Sequence, residues 1–161
     1  MRIGITGHRD LTPRTVDLVV AEFSGQLSSA PDPTTCISCL AEGADQLFAR
    51  AVLNHGGQVD AIVPSLDYRG HMNAEAQQEF DQLLPAAYRV TRLPYPESNP
   101  EAHMAASLVL VERSDLLLAV WDGQPARSFA GTADVVAYAR QVKVPGHIVW
   151  PAGSARASLV A

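Results

Sequence analysis

Short apolar runs of β-type composition alternate along the chain with longer segments whose apolar residues recur at helical spacing. Arg2 to Thr6, Thr35 to Leu40, Val59 to Val63, Tyr88 to Leu93, Leu116 to Val120 and His147 to Trp150 read as strands. Between them, Val16, Val19, Val20, Phe23 and Leu27 make one helical stripe, and Leu47, Phe48, Ala51 and Val52 make a second. Ala76, Phe80, Leu83 and Leu84 form a third, and Val135, Val136, Ala139 and Val142 a fourth. Start signals stand where they are needed. Thr12-Pro13 and Ser98-Asn99-Pro100 each place a capping side chain before a proline, and Asn73 can cap the helix that follows it. Gly56-Gly57 stops the second helix, and the helix opened at Pro100 runs to about Arg113.

This alternation predicts βαβ units, hence an α/β fold with a mainly parallel sheet. The unbroken apolar run Leu116 to Val120 is that of a strand covered on both faces. No repeat or linker divides the chain. It reads as one domain over residues 1–150, followed by a small-residue tail, 151–161, expected to fray.

Composition narrows the class. With 161 residues, 47% hydrophobic and 18% charged, the chain can bury a core of ordinary size. The net charge of -5 and the absence of a Lys/Arg stripe argue against nucleic acid as the main partner. No stretch reaches the roughly 18 apolar residues of a membrane span, and the first residues lack a signal-peptide core, so a cytoplasmic protein is expected. Cys36 and Cys39 fall in one strand-like run, where alternation sends them to opposite faces roughly 10 Å apart. That spacing predicts two inert core thiols, not a disulfide or half of a metal site.

In an open parallel sheet, ligands bind beyond the carboxyl ends of the strands. The residues there are unusually rich in chemistry. The first strand is followed by Gly7-His8-Arg9-Asp10 and the second by Glu42-Gly43-Ala44-Asp45. The third is followed by Pro64-Ser65, then Tyr68, Arg69 and His71, and the central apolar strand by Trp121-Asp122-Gly123, with Gly131-Thr132 at the next helix start. A helix N-terminus preceded by glycine offers free amides to an anion, Thr132 adds a hydroxyl, and Arg9 and Arg69 present planar forks of donors suited to phosphate. Trp121 or Tyr68 can stack on a base. Each also has an ordinary reading. Gly7 and Gly43 suit tight turns, Arg9 and Arg69 solvated loops, Trp121 a packing role, His8 a loop hydrogen bond, and Glu42 and Asp45 the dipole of the second helix. Their joint position at one end of the sheet points to a ligand site. There is no Walker or Gly-x-Gly-x-x-Gly motif, no serine elbow and no metal-ligand spacing, so neither metal nor cofactor is expected.

Ile3-Gly4-Ile5-Thr6-Gly7-His8-Arg9, together with Glu42-Gly43-Ala44-Asp45 and the segment from Ser114 to Thr132, resembles the SLOG superfamily. That group of Rossmann-like domains includes the Lonely Guy phosphoribohydrolases, the DNA-processing protein A fold and small nucleotide sensors. The resemblance spans residue 1 to about 150 and implies a three-layer α/β/α sandwich. It also implies a nucleotide-derived ligand whose phosphate lies near Gly131-Thr132. The Lonely Guy motif Pro-Gly-Gly-x-Gly-Thr-x-x-Glu is interrupted here by residues 124–130, and its catalytic glutamate falls on Val135. Asp134 is one residue early, about 100° around the helix. The family's catalytic arginine falls on Ala106. Cleavage of an N-glycosidic bond needs a carboxylate at the sugar carbon. The expectation is therefore a sensor or carrier that binds a phosphorylated nucleotide-like molecule, with a homo-oligomer possible. The alternative is a hydrolase using Glu42, Asp45 or Asp122.

Overall fold

The computed structural model describes residues 1–157. Its strands are β1 (Arg2–Gly7), β2 (Thr35–Ser38), β3 (Gln58–Ser65), β4 (Arg89–Tyr95), β5 (Leu116–Val120) and β6 (Gly146–Ile148). All six are parallel and lie in the order β4-β3-β2-β1-β5-β6. The helices are α1 (Pro13–Ser29), α2 (Ala44–Asn54), α3 (Ala74–Ala86), α4 (Pro100–Arg113) and α5 (Thr132–Gln141), with one 3-10 turn at Tyr68–His71. The result is the expected Rossmann-like three-layer sandwich.

Alternation along the strands sorts the core into two layers. Ile3, Ile5, Cys36, Val59, Ala61 and Leu118 meet α1, α2 and α3 on one face, where Phe23 and Phe48 pack edge to face at 4.8 Å. Ile37, Ile62 and Leu117 point the other way, toward Ala106, Leu110 and Val111 of α4 and Val135 and Ala139 of α5. The helix starts follow the capping residues: Thr12, Asn73 and Asn99 each accept a backbone N–H with their side chains. One stripe is narrower than its spacing suggests. Thr15, Val19, Phe23 and Leu27 are the buried residues of α1, while Val20 is exposed.

Several boundaries differ from the sequence pattern, for local reasons. β2 stops at Ser38 because its hydroxyl accepts the Leu40 amide at 2.9 Å, and Leu40 turns to a φ of 55°. Cys36 and Cys39 still reach opposite core layers as free thiols, but Cys39 lies past the strand. β3 continues through Pro64, where the register with β4 shifts between Val63 and Ser65. Pro94 is carried within β4, an edge strand that does not need every amide.

The tail corrects a larger expectation. Through residue 157 it is anchored instead of frayed. The Thr15 hydroxyl donates to the Ala155 carbonyl at 2.9 Å and accepts the Ala155 amide at 2.8 Å, and Arg156 bridges to Leu11. The Ala157 amide donates to the Asp10 carbonyl. The anchored tail is packed against the loop that follows β1.

Candidate functional site

Strand order reverses between β1 and β5, and beyond their carboxyl ends opens a cleft of about 690 Å³. That size is ordinary for a small-molecule site. Residues 7–10 after β1 form its centre, and the long loop from Trp121 to Gly131 forms one side. The other side is built by Cys39, Ala41 and Asp45 after β2, Tyr68 and His71 after β3, Ser98 and Asn99 after β4, and His103 of α4.

The glycines at the centre let backbones touch. A Cβ on Gly7 would lie 2.5 Å from that of Ala44, and one on Gly43 would lie 2.5 Å from the His8 carbonyl oxygen. Gly43 also holds a φ of 85°, so the start of α2 slots directly under the loop after β1. His8 is fixed from several sides. Its amide donates to the Val120 carbonyl at 3.0 Å and its ring stands edge-on to Trp150. Nε2 lies 3.0 Å from Asp122 Oδ1 and 3.1 Å from the Asp122 amide. Unprotonated, it accepts the amide; protonated, it donates to the carboxylate. Burial pushes its pKa down, against the pull of Asp122. Burial acts to raise Asp122, but the Gln124 amide and His8 outweigh it and hold that carboxyl low.

Charge is distributed unevenly. Asp10 is paired with Arg156 at 2.7 Å and with Arg127 at 3.5 Å. Arg9 has no ion-pair partner among the described residues and lines the cleft as an exposed cation. Gly131 caps α5 without any side-chain bond, leaving the first amides of that helix to an outside acceptor. Asp45 is 6% exposed, and burial pushes its carboxyl up to about 7, opposed by the Ala41 amide and by Arg9. Asp67 is held down at about 2, chiefly by His71, whose Nε2 is 2.9 Å away.

Of the strand-end residues singled out from the sequence, Gly7, His8, Arg9, Asp10, Asp45, Pro64, Tyr68, His71, Trp121, Gly131 and Thr132 line this cleft. The others do not. Arg69 is turned onto α3, its Nε and Nη2 each 2.7 Å from Asp81 oxygens. Ser65 is buried between Asp67 and Ser98, at 3.0 and 2.8 Å. Glu42 accepts from Asn73 at 2.7 Å and lines a side recess of about 30 Å³. Asp122 and Gly123 shape the turn after β5, and Gly43 lies beneath the loop. Tyr68 lines the cleft with its ring packed edge-on to Phe80 and His103 and only 5% exposed, so it offers no face to a base. Ala106 is buried in the apolar layer, and Val135, buried in the same layer, meets the cleft wall.

The cleft adds residues the pattern did not mark. Ser98 and Asn99 follow β4 at the same sheet edge and were reachable by the strand-end rule. His103 and Arg156 carried no such signal, because a helix side and a tail bring them in. Among the described residues no group of three or more His, Cys, Asp or Glu can hold a metal ion, and no helix is long and apolar enough to cross a membrane.

No protein-family profile matches the chain, and no curated protein sequence does. Solved structures do match. DNA-processing protein A from Streptococcus pneumoniae aligns at a TM-score of 0.70 and 13% identity, covering 91% of this chain and 49% of that one. The chain thus spans about half of that structure's length. DNA-processing protein A from Helicobacter pylori, described for its single-stranded DNA binding mode, aligns at 0.64 and 14% identity, covering 97% and 68%. The molybdenum cofactor carrier protein from Chlamydomonas reinhardtii aligns at 0.58 and 16%, covering 91% and 74%. The fold is the Rossmann-like α/β fold of these structures.

Proposed function

We propose that the protein binds a phosphorylated, nucleotide-like small molecule in the cleft between β1 and β5, and holds it without cleaving a glycosidic bond. The observation that carries this reading is the unpaired Arg9 facing the same cleft as the uncapped start of α5, at the reversal of strand order. Arg9 and the amides of Thr132 and Ala133 contact the phosphate, Arg127 adds charge from the loop, and Trp121 flanks the ligand. Apolar Ala106 and Val135 support binding over phosphoribohydrolase chemistry.

A small ligand is favoured over a nucleic acid strand by how the cations are used. Arg2, Arg50, Arg69, Arg89 and Arg113 are each paired with a carboxylate away from the cleft, which withdraws five of the twelve basic residues from a strand-binding surface. The likeness to a cofactor carrier and to a protein described for its single-stranded DNA binding mode supports a ligand-binding role without choosing between them.

The test is calorimetric titration with AMP, GMP and ADP-ribose. Saturable binding is expected; none at millimolar ligand to the folded protein would sink the reading. A hydrolase reading keeps one candidate, Asp45, since Glu42 and Asp122 do not line the cleft. Release of free base from GMP, lost in Asp45→Asn, would favour it.

A further inference from the structure

The loop between β5 and α5 is held together from within and scarcely tied to the body of the protein. Its start is set by Asp122, whose Oδ1 accepts the Gln124 amide at 3.0 Å, and by Trp121, whose Nε1 donates to the Gln124 carbonyl at 2.8 Å. Its end folds back on the helix. The Gly131 amide donates to the Ser128 carbonyl at 3.3 Å, and a Cβ on Gly131 would lie 2.8 Å from that of Ala126. This is the build of a compact surface loop packed by its own residues. Among the described residues, the one polar tie between residues 125–130 and the body is Arg127 Nη1, 3.5 Å from Asp10 Oδ2.

That tie is weak and dispensable. Asp10 is already held by Arg156 at 2.7 and 2.8 Å, and Arg127 is 56% exposed. A long pair at an exposed side chain contributes little, whereas a forked bond from arginine to phosphate is among the stronger polar contacts. Arg127 also stands in the right place. Its neighbours on both sides, Ala126 and Ser128, meet Gly131, so its backbone lies against the start of α5. The backbone is left-handed near both ends of the loop. At Gly123 φ is 79°, with nothing within 4 Å of a Cβ, and at Ala130 it is 68°, a strained value for a residue with a side chain. Hinges are sited at such loop ends. Phe129, next to Ala130, lines the cleft with 59% of its surface exposed.

We propose that residues 124–130 are a lid and Arg127 its latch: Arg127 exchanges Asp10 for the ligand phosphate at α5, and the loop swings about Gly123 and Ala130 to lay Phe129 over the bound molecule. The inference rests on the phosphorylated-ligand reading and gives that site its closing step. Asp10 stays neutralised by Arg156 throughout, so closure leaves no bare carboxylate facing the anion. The exchange supplies the difference in contacts between open and closed states that a ligand-driven closure needs.

Two measurements on the full chain test it. Saturating AMP or ADP-ribose should slow tryptic cleavage after Arg127 at least about tenfold, with cleavage after Lys143, exposed on the turn behind α5, unchanged. Phe129→Trp then separates closure from mere contact. Nucleotide should shift its emission to the blue beyond any change in the parent protein, and Arg127→Gln in that background should abolish the shift and raise Kd about tenfold. A nucleotide that binds by calorimetry but leaves either readout unmoved overturns the lid and leaves the binding reading standing. A shift that survives Arg127→Gln overturns the latch. Absence of any calorimetric binding overturns the lid and the binding reading together.

Discussion

Arg156 clamps Asp10, with its Nε 2.8 Å from Oδ1 and its Nη2 2.7 Å from the same oxygen. The pair joins the far end of the chain to the loop after β1, and it neutralises a carboxylate at the edge of a cleft proposed to hold an anion. Both side chains are largely buried, at 19% and 22% exposure. Arg156→Ala should therefore cost about 1–3 kcal/mol in stability and weaken GMP binding. Adding Asp10→Asn should restore affinity by removing the freed charge. Thermal unfolding and titration of the single and double variants test this; affinity unchanged in Arg156→Ala would remove the tail from the account.

Arg9 and Arg69 offered the same chemistry in sequence and differ in what they touch. Arg69 is spent on Asp81, while Arg9 has no carboxylate within reach among the described residues. Arg9→Ala is expected to lower phosphate-ligand affinity at least about tenfold while changing stability by no more than about 0.5 kcal/mol. Arg69→Ala should leave affinity as it was. A reversed pattern in paired titrations would move the anion site toward α3.

These two arginines also show where sequence reading stops. Strand-helix alternation and three capping residues specified the sheet and its helices because each signal acts over a few residues. The strand-end rule found one edge of the sheet, and eleven of its residues line the cleft. It could not tell which way a loop side chain turns, since Asp81, twelve residues on from Arg69, decides that by pairing. It could not place His103 or Arg156 either. One comes from the side of α4, and the other arrives through contacts spanning 146 residues.

Asp60 separates structural charge from functional charge. It is fully buried on β3 and paired with Arg89 of the neighbouring strand, and Arg113 at the end of α4 lies 3.3 Å away. None of the three lines the cleft. Asp60 is the buried member, while Arg89 and Arg113 keep 46% and 27% exposure and can turn to water, so Asp60→Ala should cost about 1–3 kcal/mol. Ligand affinity measured below the unfolding transition should stay at the wild-type level. Loss of affinity in a still-folded Asp60→Ala protein would contradict this division.

Asp45 should make stability fall as pH rises. Its carboxyl titrates at 3.8 in the unfolded chain and at about 7 in the fold, because burial outweighs the Ala41 and Cys39 amides, the Ser38 hydroxyl and the charge of Arg9. Below about pH 4 both states hold the proton. Between about pH 4 and 7 the unfolded chain has released it and the folded one has not, so each step upward favours unfolding. Above 7 the effect levels off, having removed up to roughly 4 kcal/mol. His8 and His103, whose folded pKa values lie below 6.5, act in the opposite sense, losing stability as pH falls through that region. Comparison with Asp45→Asn cancels their contribution. Urea unfolding of both proteins from pH 4 to 8 should show a wild-type curve that drops relative to the variant across the window. Parallel curves would mean that the Asp45 carboxylate is already ionised in the fold.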